Sequence, residues 1–131
     1  MTILVAYVPR PEGQAALEKG IEIAKRRNEK LIVINAGPGG GKEDPSLSDI
    51  QDYERVQKLL VDTGIDAEIK QFVRGKNAVE EIQELVESLS ASLLVIGLRK
   101  RTPLGKLIMG SVAQELLLTV TCPVLAVKSH A

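Results

Sequence analysis

The sequence predicts an α/β domain, a doubly wound open sheet of five parallel strands with helices on both faces. Two observations carry that reading. Five short apolar runs alternate with four stretches whose apolar residues recur at helical spacing, as parallel strands joined by crossover helices require. Runs such as Leu31 to Ala36 are apolar almost throughout, the pattern of a strand covered on both sides. With 131 residues, 44% of them hydrophobic, the chain fits one domain with one core, spanning residues 1–131.

Ile3 to Val8 forms the first strand. Pro11-Glu12 then starts a helix, where a proline suits the first turn because its missing N–H would have had no partner there. Ala16, Leu17, Gly20, Ile21 and Ala24 make its buried stripe, and Glu18, Lys19, Glu22, Lys25 and Arg26 its solvated face. Leu31 to Ala36 is the second strand and Gly37 to Pro45 a polar loop. Ser48 and Gln51 have capping-box spacing at the start of a helix with Ile50, Tyr53, Val56 and Leu60 along one side, and Gly64 stops it. Ala67 to Val73 alternates partly, as an exposed edge strand would. After a turn at Gly75, Asn77 and Glu80 repeat the capping spacing ahead of a helix lined by Ala78, Ile82, Leu85, Val86 and Leu89. Leu93 to Ile96 is the fourth strand. Ser111 opens a helix through Val112, Ala113, Leu116, Leu117 and Val120, and Val124 to Val127 closes the chain as a fifth strand.

Composition removes several functions. The 17 basic and 17 acidic residues cancel, so no general field attracts nucleic acid or an anionic membrane. Aromatic residues are 2%, namely Tyr7, Tyr53 and Phe72, too few for a base-stacking platform. No apolar stretch is long enough to span a bilayer and the first strand follows no basic leader, so a cytoplasmic protein is expected. The single Cys122, beside Pro123, reads as a packed thiol.

Gly37-Pro38-Gly39-Gly40-Gly41-Lys42 resembles a phosphate-binding P-loop only superficially. Ala36 stands where the first glycine belongs, and Glu43 and Asp44 follow the lysine where a hydroxyl should. The stretch Gly97 to Ser111, GLRKRTPLGKLIMGS, is better suited to an anion. It leaves a buried strand, carries Arg99, Lys100, Arg101 and Lys106, and ends at a helix start whose free N–H groups and dipole favour negative charge. Ser111 either caps that helix or offers its hydroxyl and N–H to a phosphate. The four cations are either a solvated loop or partly a screen for polyphosphate. In open α/β sheets ligands sit beyond the carboxyl ends of the strands where strand order reverses. If the first strand pairs with the fourth, that place lies between Val8-Pro9-Arg10 and Gly97. No acidic pair, histidine cluster or Ser-His-Asp set lies near it in sequence, so no catalytic base is visible.

The chain resembles the universal stress protein family, in its adenine-nucleotide-binding branch, over essentially its whole length. The likeness rests on Ile3-Leu4-Val5-Ala6 with Pro11-Glu12, the Gly75 turn, Leu94-Val95-Ile96-Gly97, Gly110-Ser111 and Cys122-Pro123-Val124-Leu125. The branch motif is glycine, two residues, glycine, nine residues, then glycine with Ser or Thr; here Lys100 replaces the second glycine while Gly97, Gly110 and Ser111 keep the spacing. Lys100 could supply charge to a phosphate or fill space the nucleotide needs. Val8 stands where the family usually carries an acidic residue, which removes a polar contact to the nucleoside.

The resemblance implies the sheet order 3-2-1-4-5 and a bound adenine nucleotide, ATP with or without Mg, ADP or AMP. Adenine would lie near Ala6, Tyr7, Val8 and Ala36. Ribose and phosphates would meet Ile96, Gly97, Lys100, Gly110, Ser111, Val112 and Ala113. It also implies a homodimer formed through the last strand, a regulatory or protective role in stress rather than an enzyme's, and at most slow ATP hydrolysis. The alternative is a nucleotide-free dimeric interaction protein whose basic loop contacts an acidic partner.

Overall fold

The computed structural model describes residues 1–36, 47–70, 77–101 and 106–129. In chain order these form β1 (Thr2–Tyr7), α1 (Pro11–Arg27), β2 (Lys30–Asn35), α2 (Leu47–Thr63), β3 (Ala67–Lys70) and α3 (Ala78–Ser88), followed by β4 (Leu93–Arg101), β5 (Lys106–Ile108), α4 (Ser111–Thr119) and β6 (Val124–Lys128). The parallel sheet runs β3-β2-β1-β4-β6, with Ile3 opposite both Leu31 and Leu93, and Leu94 opposite Val124. This is the expected doubly wound order with one strand added. The chain's closing strand is the sixth, because Lys106–Ile108 folds back antiparallel on the end of β4.

Side-chain alternation sorts the sheet into two faces. Ile3, Val5 and Tyr7 pack with Ala16, Leu17, Ile21 and Ala24 of α1 and Val56 and Leu60 of α2. Leu4, Ala6, Ile32 and Ile34 pack with Ala78, Val79, Ile82 and Val86 of α3 and Leu116 of α4. Each fully buried Leu, Ile or Val here contributes about 1.5–3 kcal/mol of transfer free energy, so the central strands hold the two layers together. Later elements are shallower. Ile50, expected in the α2 stripe, is exposed, and α4 buries only Leu116 while Leu117 and Leu118 face outward.

Helix ends follow local chemistry, with two corrections. Pro11 is in the first turn of α1, and Asn28 closes that helix in the left-handed region at φ 54°. Gly64 ends α2 with φ +73°. Asn77 caps α3 by accepting from the Glu80 N–H at 2.8 Å, and its own amide reaches the Glu80 side chain at 3.3 Å. Ser48, read as a cap, lies inside α2, which already includes Leu47. Ser111 is likewise the first helical residue of α4, and Gly110 is its cap. The Gly37 to Pro45 loop, the Gly75 turn and the outer end of the third predicted strand, 71–73, lie outside the described residues.

Candidate functional site

The parallel strands β1, β2 and β3 end together at Tyr7, Asn35 and Lys70, with β1 seated between β2 and β4. The strand order reverses beside β1, so the crevice between β1 and β4 is the place for a ligand in this class of sheet. Ala6, Ala36 and Ile96 are buried there, and Val8, Met109, Val112 and Ala113 pack against the same apolar layer. These residues arrive from β1 and the positions just after β1 and β2, from the middle of β4, and from the approach to and start of α4. Met109 is the member the sequence pattern did not nominate. Its place follows from the β5 turn-back, which that pattern also missed.

Tyr7 contributes differently from its neighbours. Its side chain lies on the opposite face, where the phenol donates to Asp52 Oδ2 at 2.7 Å and accepts from Arg55 Nη2 at 3.1 Å. Arg55 also reaches Gln14 at 3.0 Å and Asp52 at 3.1 Å. Burial, then the Asp52 carboxylate, push the phenol well above its ordinary pKa. The Tyr7 carbonyl accepts from the Ala36 N–H at 2.6 Å, which ties the end of β1 to the residue after β2.

Gly97 does not end a strand. It sits inside β4, and the space a side chain would need there is filled by the Glu12 carbonyl of α1. Its smallness serves helix-on-strand packing rather than close approach by a ligand. Arg99, Lys100 and Arg101, expected in a loop, pair with Ile108, Leu107 and Lys106 in a two-stranded ribbon. A ribbon beyond the covered part of a sheet needs no apolar face, so charge had disguised it.

Gly110 differs from Gly97: a Cβ added there meets no atom of the described residues within 4 Å. It caps α4 without any side-chain bond, and the first helical bond runs from the Gln114 N–H to the Gly110 carbonyl at 2.9 Å. The N–H groups of Ser111, Val112 and Ala113 therefore have no helical acceptor and point out of the helix start, where an anion is favoured. Ser111 is exposed and Val112 and Ala113 half-buried, so donors and apolar surface adjoin.

A groove of about 530 Å³ lies elsewhere, at the far end of α4, lined by Glu80, Gln83, Glu84, Glu87, Thr119 and Thr121. It contains none of the nominated residues, and its carboxylates would repel phosphate. Cys122 is half-buried against the α3–α4 layer, and burial pushes its thiol pKa up, as suits a packed rather than reactive thiol. No helix among the described residues is long and apolar enough to cross a membrane.

Known proteins share this arrangement. A universal stress protein from Mycolicibacterium smegmatis is 48% identical over 128 residues, covering 98% of each chain. The structure of a universal stress protein from Archaeoglobus fulgidus superposes with a TM-score of 0.76 at 27% identity, covering 97% of both chains. A second from that organism, solved in complex with dAMP, gives a TM-score of 0.72 at 22% identity over 97% of this chain and 96% of its own. The universal stress protein family model matches residues 1–128, and with the 48% identical relative this establishes that the chain belongs to that family.

Proposed function

We propose that this chain binds an adenine nucleotide, ATP or a close relative, in the crevice between the end of β1 and the start of α4. On this reading it works as a cytoplasmic regulatory or protective module and not as an enzyme. The observation that carries it is the meeting of one apolar layer, Ala6, Val8, Ala36 and Ile96, with the start of α4 at Gly110–Ala113, where the Gly110 cap makes no side-chain bond. An aromatic base suits the first and phosphate oxygens the second. The dAMP-bound relative supports an adenine ligand for the family's fold.

The residues fit the two parts of such a ligand unequally. Gly110, Ser111, Val112 and Ala113 offer main-chain donors at a helix start where no described residue crowds Gly110, and Lys100 lies on the ribbon that leads to them. At the nucleoside end Val8 offers only apolar contact, so affinity depends more on the phosphates. Magnesium, where bound, would be held mainly by phosphate oxygens and water.

Calorimetry with ATP, ADP and AMP, paired with mass analysis of any nucleotide released from freshly purified protein, tests the reading. Saturable uptake that Gly110→Leu abolishes in a folded variant supports it, and no heat at millimolar nucleotide refutes it. Lys100→Gly then separates the two roles of that lysine: weaker binding means it supplies charge, tighter binding that it obstructs. The rival, a nucleotide-free dimer docking an acidic partner, draws on the exposed Lys106 and Leu107 of the ribbon.

A further inference from the structure

Of the four cations between Gly97 and Ser111, Arg99 has a partner within the protein. Its Nε lies 3.9 Å from Oε2 of Glu12, whose side chain is 12% exposed against 49% for Arg99. Glu12 is in the first turn of α1, where the helix dipole favours its charge. The backbone of the same residue occupies the space left by the missing side chain of Gly97, two positions before Arg99 on β4. One residue of α1 thus meets β4 twice, by its carbonyl packed against Gly97 and by a carboxylate within ion-pair range of Arg99.

Strand parity explains which face is involved. Leu93 and Val95 pack on the α1 side of the sheet and Leu94 and Ile96 on the α4 side. Gly97 and Arg99 continue the first set, so Arg99 faces α1, away from the start of α4. It is poorly placed to meet a phosphate at Ser111. The ribbon it belongs to, however, runs through Lys106–Ile108 and Met109 directly into Gly110–Ala113.

We propose that Glu12 is a positioning residue: through its pair with Arg99 it pins the β4–β5 ribbon to α1 and so fixes the segment on which nucleotide phosphates would rest. This rests on the nucleotide-binding reading above. A carboxylate that is nearly out of water holds its partner more firmly than an exposed one, because solvent screens the pair less. Among the described residues the ribbon has three paired positions of its own, too few to hold firmly without an outside anchor.

Amide hydrogen exchange on the nucleotide-free chain tests the pin directly. Glu12→Gln and Arg99→Gln should each speed exchange at Arg99–Arg101 and Lys106–Ile108 by about tenfold while β1 and β2 stay protected, and Arg99→Lys should keep ribbon protection. Unchanged ribbon exchange in both glutamine variants overturns the proposal. Calorimetry adds a readout that mere loss of packing would not give. Both glutamine variants should weaken ATP by about tenfold but adenosine by less than about twofold, since only the phosphates reach the ribbon. Tighter ATP binding by Glu12→Gln would overturn the assignment, because it would mean that Glu12 competes with phosphate for Arg99. If the unaltered chain takes up no adenine nucleotide, the proposed function falls, and the exchange result alone still decides whether Glu12 pins the ribbon.

Discussion

The Tyr7 phenol donates to the Asp52 carboxylate at 2.7 Å, joining the end of β1 to α2 across 45 positions of sequence. Arg55, one turn further along α2, closes the group by bonding both. The link anchors α2 near its beginning, while the Tyr7 carbonyl holds Ala36 at the adenine end of the proposed site.

Tyr7→Phe removes one donor and one acceptor from this group and should lower stability by about 1–2 kcal/mol in urea unfolding at neutral pH. The pH dependence has a definite sign. The phenol's pKa is raised in the folded chain, so above about pH 10 the unfolded state releases its proton first and the stabilisation present below that pH is progressively lost. The phenylalanine variant should show a shallower fall across the same alkaline range.

The two motif glycines should separate cleanly under substitution. Gly97→Ala places a methyl group against the Glu12 carbonyl and should destabilise by about 1–3 kcal/mol, since backbone must shift to admit it. Gly110→Ala meets no atom of the described residues within 4 Å, in extended backbone at φ −65° and ψ 161°, and should lower stability by no more than about 1 kcal/mol. Unfolding midpoints measured side by side check the contrast; equal losses would mean that the α1–β4 packing has been misassigned.

Much of the fold was legible because buried parallel strands are apolar runs and their helices carry one apolar stripe. The Val5 and Val33 neighbourhood needed nothing more. The ribbon was not legible, because Arg99, Lys100 and Arg101 have no apolar reason to be a strand and pair only through their backbones. Ala6, Val8, Ala36, Ile96, Val112 and Ala113 share one apolar layer of the core, and their contact with a nucleotide stays part of the proposal. The end of the fourth strand was misplaced at Ile96, because the charged residues after Gly97 hide the continuation of β4 to Arg101. The Glu12–Arg99 pair was hidden for a related reason: its members lie 87 positions apart, and only strand parity brings them to one face.

The sheet edge carries a further expectation. Among the described residues β6 pairs only with β4, Leu125 is 36% exposed along it, and Leu118 of α4 is 75% exposed. An apolar edge strand invites a second copy. On the homodimer through the last strand that the family resemblance implies, Leu125→Asp should convert a dimer to a monomer in sedimentation at micromolar concentration while the domain stays folded. A chain already monomeric before substitution would exclude that interface.

The most direct measurement of the central claim is an amide chemical-shift titration of the whole chain with Mg-ATP. Nucleotide seated as proposed should move the signals of Val8, Ala36 and Gly110 through Ala113 together, saturating with one affinity. Shifts gathered instead around Glu80, Gln83 and Thr119, or no movement up to millimolar nucleotide, would contradict it.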